Sequence, residues 1–247
     1  MHTIYIIVLW LASCALSMDF GTVSFPGYRL NPVRPLPDTL RAEFGISYAQ
    51  VPEANVHVAG AAGAFCLGIS RIAFSSSYTQ MDSLYRQVYS EIDYSLAHSW
   101  LVGGVGYGIS VDWVPGEENA SSESWTLNHY KAGLGLVKSP LSLSGMVTLV
   151  NHGSFYNVDY VASLRFDGGR FGAFVEYDGI SVDVGNYLKF AHLSVISAYR
   201  FPEFAVAVSL VFSVGDWSLS GAYAKAYPIW DWFGFVASKT IRKKTIL

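Results

Sequence analysis

The sequence predicts an all-β fold: a transmembrane antiparallel up-and-down β-barrel of twelve to fourteen strands, fourteen favoured, preceded by a signal peptide. Three observations carry that expectation. Hydrophobic residues fill 51% of the 247 positions and charged residues only 14%, against about 25% in soluble domains, and mean hydropathy is +0.30. Beyond the opening segment there is no run of about 18 apolar residues, so no helix of ordinary spanning length is available. Instead, apolar residues alternate with small or polar ones through segment after segment, which in strands places the two sets on opposite faces.

The chain begins with "IYIIVLWLA" (4–12), an apolar core too short to span, followed by small residues. This is the pattern of a secretory signal over residues 1–17, with a weak positive n-region. Two processing routes are open. Ala15-Leu16-Ser17 before Met18 resembles a signal-peptidase site, whereas Leu11-Ala12-Ser13-Cys14 resembles a lipobox that would leave Cys14 lipidated. Residues 18–38 contain Pro26, Pro32, Pro35 and Pro37, which exclude a central strand. They are expected to form a periplasmic or plug segment. The barrel is expected over 39–241, with 242–247 as a tail.

The strands follow in order. "LRAEFGISYAQ" (40–50) sets Leu40, Ala42, Phe44, Ile46 and Tyr48 against Arg41, Glu43, Gly45, Ser47 and Ala49. Segments 55–63 and 64–74 follow, then 88–99 with Glu91 and Asp93 on its second row. "WLVGGVGYGISVDW" (100–113) is glycine-rich, yet it lacks the G-x-G-x-x-G spacing and the following helix of a phosphate-binding loop. It is a strand with an apolar row from Leu101 to Trp113 and a row of Val102, Gly104, Gly106, Gly108, Ser110 and Asp112. Further segments are expected at 125–138, 141–151, 156–167, 170–178, 187–200, 204–212, 217–227 and 231–241, thirteen in all. Because single-chain bacterial barrels have even strand numbers, either 18–38 hides one more strand, making fourteen, or one strand around 178–200 is wrongly split, making twelve.

Alternation also suits a soluble sandwich, but two features favour a membrane barrel. Aromatic residues stand near the ends of apolar rows, as at Trp100 and Trp113, Tyr156 and Phe166, Trp217 and Tyr227, matching interfacial girdles. Connections are expected to be short near 98–99, 139–140, 168–169 and Pro202, and longer at 75–85, 114–124, 151–155 and 178–186.

If the apolar rows meet lipid, the charges on the other rows line the lumen: Arg41, Glu43, Glu91, Asp93, Lys131, Arg165, Asp167 and Glu176. They are expected to form a salt-bridged interior. A sharper alternative is a selectivity or ligand site built from Glu91 and Asp93 with Lys131 or Arg165. The net charge of −3, with no basic cluster before the terminal "IRKK", argues against a nucleic-acid surface. No catalytic residue, metal site or cofactor is expected. Histidines and serines are present, but no G-x-S-x-G elbow or metal-spaced cluster occurs.

"LNPVRP" (30–35), "ANVHVAGAA" (54–62) and "YRQVYSEIDYSLAHSWLVGGVGYGISV" (85–111) together resemble PorV/PorQ-type outer membrane proteins, which group with the FadL-like transporters of hydrophobic compounds. The resemblance implies a barrel, often of fourteen strands, with an N-terminal segment near the lumen. It implies work as a lipid transporter or as a component tied to protein secretion, and carries over no residue-specific site. The sequence is therefore expected to be a non-enzymatic barrel of the bacterial outer membrane. It would contact membrane lipids and either pass small or hydrophobic molecules or serve secretion-system proteins. A structural or adhesive surface barrel, acting through its longer loops, and a soluble exported β-sandwich are the alternatives.

Overall fold

The computed structural model describes residues 40–115, 122–153, 155–202, 204–226 and 230–242. The expected signal peptide, the 18–38 segment and Cys14 lie outside the described residues. The described chain is a closed barrel of fourteen antiparallel strands, each paired with its sequence neighbours and closed by β1 against β14. The strands are β1 (Leu40–Val51), β2 (Val56–Leu67), β3 (Ser70–Met81), β4 (Tyr85–His98), β5 (Leu101–Val114), β6 (Glu123–Lys138) and β7 (Leu141–His152). They continue with β8 (Phe155–Asp167), β9 (Phe171–Tyr177), β10 (Val182–Lys189), β11 (Leu193–Phe201), β12 (Ala205–Val214), β13 (Trp217–Ala226) and β14 (Trp230–Arg242).

Closure follows from the alternation. The large apolar side chains on one row of each strand are exposed outward, among them Ile46, Ile92, Val105, Leu134, Val147, Leu210 and Phe235. The intervening small and polar residues face inward and are largely buried, as in the alternating pattern of β3 and β12. A sheet with an apolar outer face and a polar inner face has no exposed edge once closed, which satisfies every ladder group inside a bilayer.

The rim holding Leu40 and Arg242, here the lower rim, is built of tight turns. Gly68 and Gly215 occupy positive φ of +64° and +59° in two of them, a conformation that short hairpin loops require. At the opposite, upper rim, tyrosines form a belt on the outer surface, with hydroxyls held by polar neighbours. The Tyr48 hydroxyl lies 2.6 Å from His57 Nδ1. Tyr223 donates to Asp231 Oδ1 at 2.8 Å, and farther down, at mid-strand on β5, Tyr107 donates to Asn128 Oδ1 at 2.7 Å. Ring bodies in lipid with hydroxyls at a polar boundary mark a membrane interface.

The structure corrects the strand inventory. The fourteenth strand comes from the 178–200 region, where redivision adds a strand instead of removing one: segment 187–200 is the end of β10 and most of β11, divided by a turn at 190–192. The expected loop at 178–186 is a turn at Asp178–Ser181 followed by the first half of β10. There Asp183 and Gly185 face inward and Asn186 outward, so no clean apolar row announces the strand. The expected loop at 75–85 is mostly strand, with only 82–84 left as a turn. Its polar run is accounted for on both faces: Ser75, Ser77 and Thr79 are buried in the lumen, and outward Ser76 pairs with Ser90 at 2.9 Å. Likewise most of 151–155 is strand, since β7 runs to His152 and β8 begins at Phe155. Short connections therefore occur at both rims, and Pro202 lies at the upper rim, across from the other three short turns expected.

Candidate functional site: the barrel lumen

The inward side chains form three surfaces. The first is a polar furrow across β3 to β6. By register, Glu91 on β4 lies beside Gly108 on β5 and His129 on β6, and Asp93 lies beside Gly106 and Lys131. The β5 glycines remove the side chains that would stand between β4 and β6. A Cβ on Gly106 would lie 1.9 Å from Asp93 Oδ1, and one on Gly108 2.6 Å from the Tyr89 hydroxyl. Through that gap Lys131 Nζ meets Glu91 Oε2, both side chains fully buried. Ser75 donates to Glu91 Oε1 at 3.1 Å, and Tyr89 donates to Oε2. A buried charge pair holds only with such additional hydrogen bonds, because desolvation of the ions otherwise outweighs their attraction.

The furrow continues toward the upper rim. Ser110 Oγ lies 3.2 Å from His129 Nε2 and donates to Asp112 Oδ2 at 3.2 Å. Gln87 donates to Asp112 Oδ1 at 2.7 Å, and the Tyr85 hydroxyl donates to the same oxygen. The Tyr89 ring meets the His129 ring edge-on at 5.1 Å.

The second surface lies on β8 to β11. Arg200 Nε and Nη2 donate to Asp183 Oδ1 and Oδ2, each at 2.6 Å, a bidentate pairing that fixes the guanidinium plane. Nη2 also stands 3.7 Å from Asp178 Oδ2. Asp178 holds the adjoining turn by accepting from the Ile180 and Ser181 amides at 3.1 and 2.7 Å. Arg165 approaches Glu176 at 3.4 Å.

The third surface is apolar. One buried cluster runs from Phe174 and Tyr187 through Ile196, Ala207, Val211, Ala222, Ala224, Trp232 and Val236 to Val58. Its aromatic rings stand against glycines of the wall. Tyr187 covers Gly172 while Phe174 covers Gly185, and Trp232 covers Gly234. The first two are reciprocal, since Tyr187 pairs with Gly172 and Phe174 with Gly185.

Of the residues expected to line the lumen, Glu91, Asp93 and Lys131 come together in the furrow. Asp93 is 2% exposed and takes no hydrogen bond from a described residue. Arg165 does not join them; its partner is Glu176 on the neighbouring strand. Glu43 faces inward on β1, paired by register with Ala64 and Thr240. Arg41 sits at a register irregularity at the start of β1. Asp167 is a lower-rim residue rather than a deep one: it accepts from the Gly169 amide at 2.9 Å and lies 3.4 Å from Lys189. Sequence reasoning missed Arg71, Asp112, His129, Asp183 and Arg200. The first three share the row parity of their expected neighbours, whereas the last two lie in and beside the strand taken for a loop.

No protein-family model matches the chain, and no curated relative matches it in sequence. Solved structures match it in fold. Omp33, an outer membrane protein of Acinetobacter baumannii, aligns with a TM-score of 0.54 at 12% identity, over 83% of this chain and 100% of that one. CdiB from Acinetobacter baumannii aligns with a TM-score of 0.52 at 8% identity over 84% of this chain, which spans 61% of CdiB. A mutant Rh. blastica porin aligns with a TM-score of 0.42 at 7% identity, over 82% of this chain and 99% of the porin. The protein is an outer-membrane-type β-barrel.

Proposed function

We propose that this barrel is a non-enzymatic outer-membrane channel for small hydrophobic or amphipathic molecules, in keeping with the FadL-like resemblance of its sequence. The observation that carries this reading is the division of one lumen into two kinds of wall. The apolar cluster from Phe174 to Val58 occupies inward positions, where a purely water-filled pore would present polar groups. The furrow of Glu91, Lys131, Asp112 and His129, whose buried side chains bond one another and their neighbours, makes the wall on β4 to β6 polar. A molecule with an apolar body and a polar end is complementary to both walls at once, because apolar surface leaves water while the polar end keeps its partners.

The test uses the full-length protein in proteoliposomes, comparing entry of a fluorescent medium-chain fatty acid with osmotic swelling in a neutral sugar. Faster fatty-acid entry than in protein-free vesicles, with little sugar swelling, is the expected result. Rapid sugar swelling without fatty-acid selectivity would make the barrel a general diffusion pore. Neither activity would leave a structural or adhesive barrel.

A further inference from the structure

The two rims carry opposite charge on their outer side. At the lower rim the outer face and turns present Lys138, Arg170 and Lys239, with Asp216 the one acid there among the described residues. The other acid of that rim, Asp167, stands on the lumen side and lies 3.4 Å from Lys189. At the upper rim Glu53, Asp82, Asp178 and Asp231 outnumber Arg86 and Lys225, and Lys225 is 3.5 Å from Asp231. The three lower-rim cations have no such partner: no carboxylate of a described residue comes within ion-pair distance of any of them.

Lys239 shows what these cations meet. It stands on the outward row of β14, between Trp217 on β13 and Phe44 on β1 by register. Its Nζ lies 5.1 Å from the centre of the Trp217 ring, which is itself 55% exposed. Neither Nζ nor the indole N–H has a hydrogen-bond partner among the described residues. An ammonium is costly in hydrocarbon, so the lysine stem lies along apolar surface while its head reaches headgroup level. Tryptophan anchors the same boundary. Lys138 and Arg170 also stand beside outward aromatics: the Trp100 carbonyl accepts from the Val137 amide at 2.7 Å, next to Lys138, and Arg170 directly precedes exposed Phe171.

We propose that the lower rim is seated in a leaflet of anionic phospholipid and that its outer cations bind headgroup phosphates, with Lys239 and Trp217 as the best-formed site. A phosphate complements both donors there, since the ammonium supplies charge and the indole N–H one hydrogen bond. The placement of the cations favours lipid over an acidic protein. They are spread around the perimeter, on β6, the β8–β9 turn and β14, rather than gathered in one patch. Lys239 also shares its row with exposed Phe235 and Ile241, so it is approached from the bilayer side. This contact is independent of what the lumen passes.

The test uses the full-length protein folded into phosphatidylcholine vesicles in which chain-brominated phosphatidylglycerol or chain-brominated phosphatidylcholine replaces part of the lipid. Quenching of tryptophan fluorescence then gives the relative affinity of the barrel surface for the two headgroups. The wild type is expected to prefer phosphatidylglycerol about two- to five-fold at low salt and to lose most of that preference at high salt. Lys138→Gln with Arg170→Gln and Lys239→Gln should abolish the preference, whereas Arg86→Gln with Lys225→Gln at the upper rim should keep it. Heat-dependent mobility confirms a folded barrel in each case. Should the triple variant fail to fold, Lys239→Gln alone is expected to give a smaller loss in the same direction. Equal affinity of the wild type for both lipids would overturn the proposal and leave the lower rim to an acidic protein. A preference indifferent to the lower-rim changes, or abolished equally from the upper rim, would overturn it too.

Discussion

Lys131 on β6 bonds to Glu91 on β4 across an entire intervening strand. The contact exists because β5 offers Gly106 and Gly108 where side chains would otherwise stand. The glycine-rich stretch is therefore neither a ligand loop nor simply a flexible strand. It is the floor of a furrow whose walls are charged.

Substitution of that floor should be more disruptive than glycine replacement elsewhere on β5. A Cβ at Gly106 would overlap the Asp93 carboxylate, whereas at Gly103, on the outer face, the nearest atom would be a Leu134 methyl at 3.5 Å. Gly106→Val is expected to lower barrel stability by about 1–3 kcal/mol, the ordinary range for overpacking, and Gly103→Ala by much less. Urea titration of the protein folded into lipid vesicles, followed by tryptophan fluorescence, measures both. Equal stabilities would mean that Asp93 is not held against β5.

Glu91 and Lys131 should be strongly coupled. Removing either alone leaves the other charge buried, at a cost of about 3–5 kcal/mol. Removing both in Glu91→Gln with Lys131→Met should cost substantially less than the two single changes summed. The same urea titration, run as a double-mutant cycle, checks this; additive losses would show that the two charges do not depend on each other.

How much of this was legible in the sequence depends on the range of the interaction. The two-residue period is local, so the outward rows of β1, β5 and β8 are evident from composition alone. β10 was not, because its inward row contains Asp183 and Gly185 while its outward row contains Asn186, and no face of that strand is uniformly apolar. The polar run of β3 reads as a loop because polarity usually means solvent, yet here Ser75 and Ser77 meet the lumen. Pairings were less legible still. Register between strands decides that Lys131 reaches Glu91 and that Arg165 meets Glu176, and register is set by partners distant in the chain.

The two faces predict opposite tolerance to the same substitution. Leu134 and Val137 are close neighbours on β6, but Leu134 is 66% exposed on the outside, while Val137 is on the inward row and pairs with Ser142 near the lower rim. Leu134→Arg is expected to destabilise the barrel in a bilayer by less than the about 2–4 kcal/mol of a cation at the midplane, because Leu134 pairs with Gly103 only two residues above the lower end of β5. Val137→Arg should be tolerated better, since its guanidinium extends along the lumen toward water. Folding yield into phosphatidylcholine vesicles, scored by heat-dependent mobility on gels, separates them; the reverse order would place β6 inside out.

Trp232 offers the sharpest test of what the lumen passes. Its ring lies across Gly234, where a Cβ would come within 2.6 Å of it, and it belongs to the apolar cluster with Ala224, Val58 and Val236. Trp232→Ala removes the largest apolar surface of that wall and widens the lumen at the same point. If the wall guides hydrophobic molecules, fatty-acid entry into proteoliposomes falls while ion conductance in planar bilayers rises. A filler with no part in transport would give higher conductance with fatty-acid entry unchanged or faster. The two readouts moving in opposite directions is therefore the signature expected of a wall that binds its cargo.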